Sequence, residues 1–299
     1  MFSIIICSRQ KDIPAQLRSN IRETIGCGIE HEIIVIDNSQ NQYNIFQAYN
    51  KGVSLSWYSF LLFMHDDVIH CTKEWGLRLA DHFQNPEVGC VGTAGTSYLP
   101  YVPGAWWGSG IAYYYLLQYF NGNAEPVMIN SFPANSAQQE VVILDGIWIC
   151  IRKEVFNSIE FDGETFNGFH FYDLDITLQA FQAGYKNLCV NDILINHSSG
   201  GNFDYRWVED ALLFHNKWKQ RLPIATQKYS LFQQCRLEHR ALKIWIQYCI
   251  NSGFQKRAKI YLDALKIVVG FKKGYLYYGT PVLATVIFAR YLKNRLLRN

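Results

Sequence analysis

Short apolar runs near the N-terminus end in residues that can do chemistry. FSIIIC runs into Ser8 and Arg9, IIVI into Asp37, and LLFM into His65, Asp66 and Asp67. A carboxylate closing a buried strand can hold a divalent cation against a diphosphate, because Mg2+ and Mn2+ take oxygen ligands and share them with substrate phosphates. Asp66-Asp67 fit that use, and fit equally a turn with two solvated acids. Asp37 can accept the imide N–H of a uracil, but Asp-Asn-Ser are also capping types, and alone the cap is the first reading. Asp173 and Asp175 flank Leu174 at the start of a helix-like stretch. At i and i+2 they face different sides of a helix, so one can act in a site while the other caps or solvates it. His197, between LIN and SSGG, reads as a ligand or as a satisfied structural histidine.

The elements that must position these residues show in the hydrophobic pattern. Phe2–Cys7, Glu32–Ile36, Leu61–Met64 and Val88–Val91 are short and apolar, and Asp12–Gly26 is polar and helix-like. Strands alternating with helices predict an α/β domain with a mainly parallel sheet. In such sheets ligands sit beyond the carboxyl ends of the strands. Thr93–Gly110, rich in Gly, Pro and aromatics, reads as an irregular loop, and Glu140–Ile151 is an apolar stretch interrupted by Asp145-Gly146. Tyr172–Gly184 reads as a helix stopped by its glycine. Everything from Phe203 onward reads helical, without a strand signal. The expected division is an α/β domain over residues 1–222 and a basic helical extension over 223–299.

Composition narrows the class. With 49% hydrophobic and 18% charged residues, the chain is neither disordered nor a charged coiled coil. The aromatic share of 15% points to a thick core, a stacking site or a membrane-facing surface. The net charge of +3 conceals an asymmetry: residues 236–299 hold 13 Lys and Arg against Glu238 and Asp263, a net of +11, and residues 1–235 are net −8. Such a tail suggests an anionic partner, nucleic acid or an anionic membrane surface. No zinc-finger, RNP-type or helix-turn-helix signal supports nucleic acid. No Gly-rich phosphate loop follows the first strand, which argues against a nucleotidyltransferase. The cysteines show no C-x-x-C or zinc spacing and read as buried thiols in a reducing compartment, and no signal peptide is read at the N-terminus.

Taken in order, Asp37, Ala48-Tyr49-Asn50-Lys51-Gly52, His65-Asp66-Asp67, Asp145-Gly146, Tyr172-Asp173-Leu174-Asp175, Gly184-Tyr185 and His197 resemble the inverting GT-A glycosyltransferases of family 2. FHFYDLD followed by INHSSGG looks like a bacterial subgroup of that family, and the resemblance covers roughly residues 2–202. It implies a GT-A-type nucleotide-sugar-binding domain and a transferase using a nucleoside-diphosphate sugar. Ser8, Arg9 and Asp37 would then hold the base, and Asn50 and Gly52 would belong to a segment packed beneath the nucleotide. His65 and Asp66 would face the donor, and Asp145-Gly146 would lie beside its sugar. Asp67 matches the metal-binding acid of D-x-D and His197 a histidine completing the shell of Mn2+ or Mg2+; Asp173 matches the general base. The metal would spread the charge of the leaving diphosphate while Asp173 takes a proton from the attacking acceptor hydroxyl, with no covalent intermediate.

Two positions depart from the pattern. His65 stands at the first acid of D-x-D, so the ribose contact would come from imidazole or from elsewhere. Tyr172 stands at the acid before the base, which removes a like-charged neighbour and should leave Asp173 easier to ionise. Trp106, Trp107 and Trp148 could stack on an acceptor sugar or simply close core and loop. The resemblance implies a UDP-sugar donor and a glycan or lipid-linked acceptor in bacterial surface polysaccharide synthesis. The alternative is a non-catalytic nucleotide-sugar-binding or scaffolding partner of a polysaccharide-assembly complex, a reading that His65 and Tyr172 favour.

In the tail, Gln255–Lys273 written as a helix gathers Lys256, Lys259, Lys266 and Lys273 on one side and Ile260, Ala264, Ile267 and Val268 on another. That pattern suits an anionic lipid surface. Tyr275–Ala289 is uncharged but would span roughly 22 Å, short of the ~30 Å hydrocarbon core, so it should lie in the interface. The competing reading is a helical cap with a solvated basic face. The expected location is cytoplasmic, peripheral on the inner face of the cytoplasmic membrane.

Overall fold

The computed structural model describes residues 1–120 and 124–252. The chain divides into two compact units, Met1–Leu99 with Ile111–Gly201, and Pro100–Gly110 with the chain from Asn202 onward. The expected boundary at residue 222 thus falls inside the second unit, which also takes in part of the Gly/Pro/aromatic loop.

The first unit runs β1 (Phe2–Ser8), α1 (Ala15–Thr24), β2 (His31–Asp37), α2 (Ile45–Leu55), β3 (Phe60–Met64), β4 (Val68–His70), α3 (Trp75–His82), β5 (Val88–Gly92), β6 (Ala94–Thr96), β7 (Tyr98–Leu99), β8 (Tyr113–Gln118), β9 (Val127–Asn130), β10 (Gln138–Val141), β11 (Ile143–Leu144), β12 (Trp148–Arg152), α4 (Tyr172–Gln182), β13 (Lys186–Val190) and β14 (Ile195–His197). Its larger sheet has the order β10-β13-β5-β12-β3-β1-β2. β2, β1 and β3 are mutually parallel, as are β5 and β13. The fold class is the expected α/β, but the sheet is mixed: β12 runs antiparallel to both β3 and β5, wedged between the two parallel groups. A smaller sheet, β11-β6-β8-β14-β4 with β9 on β8, carries the second half of the site.

The strands form where the sequence is apolar on both faces. Ile4, Ile5, Ile6, Leu61, Leu62, Phe63, Val91, Cys150 and Ile151 are all essentially inaccessible, as befits strands covered on both sides. Each large apolar side chain so buried contributes roughly 1.5–3 kcal/mol. Helix α2 starts with a reciprocal Asn44–Gln47 capping box and packs on β1 and β2. Gly52 permits that approach, since a Cβ there would overlap Ile5 Cγ2. Where an irregular loop was expected, β6 and β7 precede a 3-10 turn at Trp106–Ser109.

The second unit contains α5 (Tyr205–Trp218), β15 (Ile224–Ala225) and α6 (Leu231–Asn251). The short β15 corrects the expectation of an all-helical segment. Helix α6 buries Glu238, Ala241, Trp245 and Cys249, a stripe at helical spacing. The Glu238 carboxylate accepts from the Tyr101 and Val102 N–H groups at 2.9 and 3.3 Å. Gly104, at φ +118, lets the loop lie flat on the Trp245 ring. Among the described residues no helix is long and apolar enough to cross a membrane. The amphipathic Gln255–Lys273 and uncharged Tyr275–Ala289 stretches lie outside the described residues.

Candidate active site

Because β1, β2 and β3 are parallel, their carboxyl ends meet at one edge. Ser8 pairs with Asp37 in register, and the Ser8 hydroxyl donates to Asp66 Oδ2 at 2.7 Å. Arg9 is exposed just beyond. Asp37 Oδ1 accepts from the Ser39 N–H at 2.9 Å, so the turn reading of this acid is realised. That bond also holds its carboxyl below the usual range and keeps it ionised. Both ends of the Asn50 amide bond the Phe161 backbone, at 2.8 and 3.1 Å, pinning the 161 loop to α2. The antiparallel β12 starts where β3 ends: the His65 N–H donates to Ile147 O at 3.2 Å, which sets Asp145-Gly146 against His65.

His65, Asp67 and His197 converge there, each offering one ligand atom within 4.8 Å of the others. His65 Nδ1 is 3.4 Å from His197 Nε2, which is 3.6 Å from Asp67 Oδ1. The far nitrogen of His197 is held by Gln118 Oε1 at 2.9 Å, and the Ser199 hydroxyl lies 3.3 Å from Nε2. Burial lowers the pKa of His197, so its imidazole is neutral at physiological pH and able to bind a metal. A carboxylate with two imidazoles suits a divalent transition ion such as Mn2+; Mg2+ prefers oxygen alone. The expectation left the ribose contact to the His65 imidazole or to another group; the structure groups His65 with Asp67 and His197.

Asp173 enters from α4. Phe171, just before it, is a buried aromatic residue at φ +65, a left-handed conformation rare for a bulky side chain. Asp173 is 8% exposed and its Oδ2 accepts from the Gly146 N–H at 2.7 Å. The Thr177 hydroxyl donates to Asp173 O at 2.7 Å and accepts from the Leu144 N–H at 3.1 Å, clamping the first turn of α4 to residues 144–146. Burial pushes the Asp173 carboxyl up to about 7; the Asp145 charge adds to this and the Gly146 N–H opposes it. The expectation of a more easily ionised Asp173 is therefore corrected: Asp145 supplies the like charge that Tyr172 does not, and it adds to the larger effect of burial. Asp175 neither caps nor solvates the helix; it is fully buried and accepts from Gln179 Nε2 at 2.7 Å.

Trp148 is 0% exposed, donates to His70 Nε2 at 3.0 Å and meets Trp75 edge-on, so no face is open to a sugar. Trp106 is buried in the second unit, and Trp107 sits edge-on to Phe203 and Tyr248 there. An open ring beside the cluster is Phe169, 47% exposed, with its centroid 6.5 Å from His65 and 6.3 Å from Tyr172. Its signal was the aromatic run FHFY. Gln118 had none beyond a polar residue closing an apolar strand.

Compared with known proteins, residues 3–220 match the model of the Glycosyltransferase like family. No curated protein matches the sequence. Among solved structures, GalNAc-T7 with UDP, GalNAc and Mn2+ superposes with a TM-score of 0.52 at 11% identity, over 92% of this chain and 57% of that one. TarS 1-349 from S. aureus in complex with UDP gives 0.52 at 13% identity, over 86% of this chain and 75% of that one. The likeness to both is one of fold.

Proposed function

The chain belongs to the glycosyltransferase-like family, and from that premise we propose that it moves a sugar from a nucleoside-diphosphate donor to an acceptor hydroxyl, inverting the anomeric centre. The observation that carries this reading is the His65–Asp67–His197 cluster beside a buried, hydrogen-bonded Asp173. The cluster would hold Mn2+ in preference to Mg2+, and the ion when bound would neutralise charge on the leaving diphosphate. Asp173 takes the acceptor proton as the hydroxyl attacks in line; a carboxyl near 7 is matched to that exchange at neutral pH. Asp145, whose charge raises Asp173, is set by its own bond from the Ile147 N–H at 3.1 Å and lies beside the donor sugar with Gly146. Phe169 offers the acceptor an open ring face.

The base reading is uracil. Its support is the ionised Asp37 at the end of β2, paired with Ser8; GalNAc-T7 and TarS, which share the fold, were solved with UDP. The acceptor is a glycan or lipid-linked saccharide of bacterial surface polysaccharide synthesis, reached at the inner membrane face through the basic tail; the charge asymmetry of the chain supports that placement.

Nucleotide sugars titrated with and without Mn2+ test the reading. UDP-sugars should raise the melting temperature only with metal, and Asp67→Ala and His197→Ala should each remove that dependence. Unchanged metal dependence in both variants would overturn the cation site. A donor that binds but is neither hydrolysed nor transferred, with any acceptor saccharide, would instead support the non-catalytic scaffolding role.

A further inference from the structure

Tyr172 reaches the cation cluster from inside the core. Its hydroxyl lies 3.1 Å from His65 Nε2 and 3.1 Å from Gly146 O. The ring is 4% exposed and held edge-on by Tyr49 and Phe46, at centroid distances of 5.3 and 6.4 Å. A backbone carbonyl only accepts, so the phenol proton goes to Gly146. The phenol oxygen, with its two lone pairs, can then only accept from its remaining neighbours, the Tyr49 hydroxyl and His65 Nε2–H. Either opposite choice, with the phenol donating to His65 or to Tyr49, leaves the Gly146 carbonyl without this partner in a buried place. A neutral imidazole protonated at Nε2 carries its lone pair at Nδ1, the atom that faces His197.

Gln118 does the same for His197. Its amide nitrogen donates to Ser199 O and Tyr119 O, at 2.8 and 2.9 Å, which fixes the amide orientation. Its Oε1 therefore accepts from His197 Nδ1–H, and the lone pair sits at Nε2. Two imidazole lone pairs thus face each other across 3.4 Å, with neither ring's proton between them. A shared cation beside the Asp67 carboxylate resolves that opposition.

We propose that Tyr172 is a positioning residue: by holding His65 in the Nε2–H tautomer it makes Nδ1 the third cation ligand. The same hydroxyl, through Gly146, joins that ligand to the amide that binds Asp173. The inference rests on the reading of His65, Asp67 and His197 as a cation site, and adds that the histidine at the first of these positions works only with the tyrosine beneath it.

Tyr172→Phe keeps the ring and removes the hydroxyl. In metal-free full-length protein, 15N-edited NMR of the imidazoles should show His65 protonated at Nε2 in the wild type and no longer fixed in that form in the variant. Mn2+ titrated alone, with free ion followed by EPR, should bind about 10–100-fold more weakly to the variant. His65→Asp supplies a carboxylate that needs no tautomer, so adding Tyr172→Phe in that background should leave Mn2+ affinity unchanged. Equal Mn2+ affinity in wild type and Tyr172→Phe, an Nδ1–H tautomer in the wild type, or the same loss in the His65→Asp background would each overturn the inference while leaving the cation site standing. A wild type that takes up no Mn2+ overturns the cation site beneath it.

Discussion

In the proposed role of general base, the position of Asp173 and its raised pKa have separate consequences. Asp173→Asn should lower turnover by about 100–10,000-fold while donor affinity stays close to wild type. Wild-type kcat should rise with pH through about 7, as the carboxylate forms. The stability effect has the opposite direction. The folded pKa lies above the unfolded value of 3.8, so the protonated acid stabilises the fold below about pH 4, and this contribution is lost as pH rises through 7. Asparagine does not ionise, so above pH 7 the variant should be the more stable protein, by on the order of 4 kcal/mol at most. Chemical denaturation at pH 5 and pH 9 checks the sign; a variant that gains no relative stability at pH 9 shows that Asp173 is not desolvated. Individual acids and His197 could be picked out of the sequence because each closes an apolar run or opens a helix. The His65–Tyr172 contact could not: the two residues are 107 positions apart, and each looked only like a substitution in a pattern.

At the scale of elements, the site depends on α4 and the segment before β12 lying against each other. Gly146 is the point of closest approach: a Cβ there would overlap the Tyr172 hydroxyl and come within 2.9 Å of Asp173 Cβ. Tyr172 and Asp173 are both buried and bonded, so neither can move aside without breaking a hydrogen bond. Gly146→Ala should therefore cost about 1–3 kcal/mol of stability through overpacking. It should also weaken both metal-dependent donor binding and turnover, because the shared glycine serves both. A loss of stability with turnover per folded molecule intact would show that the clamp serves folding alone. The parallel strands were legible as continuous apolar runs. The direction of β12 was not, since a strand buried on both faces has the same composition whichever way it runs. That direction is what delivers Asp145 and Gly146 to the end of β3.

The whole molecule sets an acidic catalytic body against a basic tail, and the described structure locates where the two should be separated. Helix α6 continues to Asn251 and buries Trp245 and Cys249, so it is part of the second unit's core. A cut within its first turns would remove that core along with the tail. Ending the chain at Ser252 keeps α6 and removes ten Lys and Arg against the single acid Asp263. Each basic residue close to an anionic surface contributes about 1 kcal/mol, which together can offset repulsion of the −8 body. The tyrosines of Tyr275–Tyr278 add an apolar contribution at the interface. Full-length protein should therefore float with vesicles containing anionic lipid, float poorly with neutral ones, and be released as salt shortens the Debye length from about 10 Å at 0.1 M toward 3 Å at 1 M. The chain ending at Ser252 should stay at the bottom of the gradient yet keep metal-dependent nucleotide-sugar binding, because the cluster and Asp173 lie wholly in the first unit. If both chains float alike, or neither does, the tail's charge serves something other than membrane attachment, and the acceptor must be sought in solution.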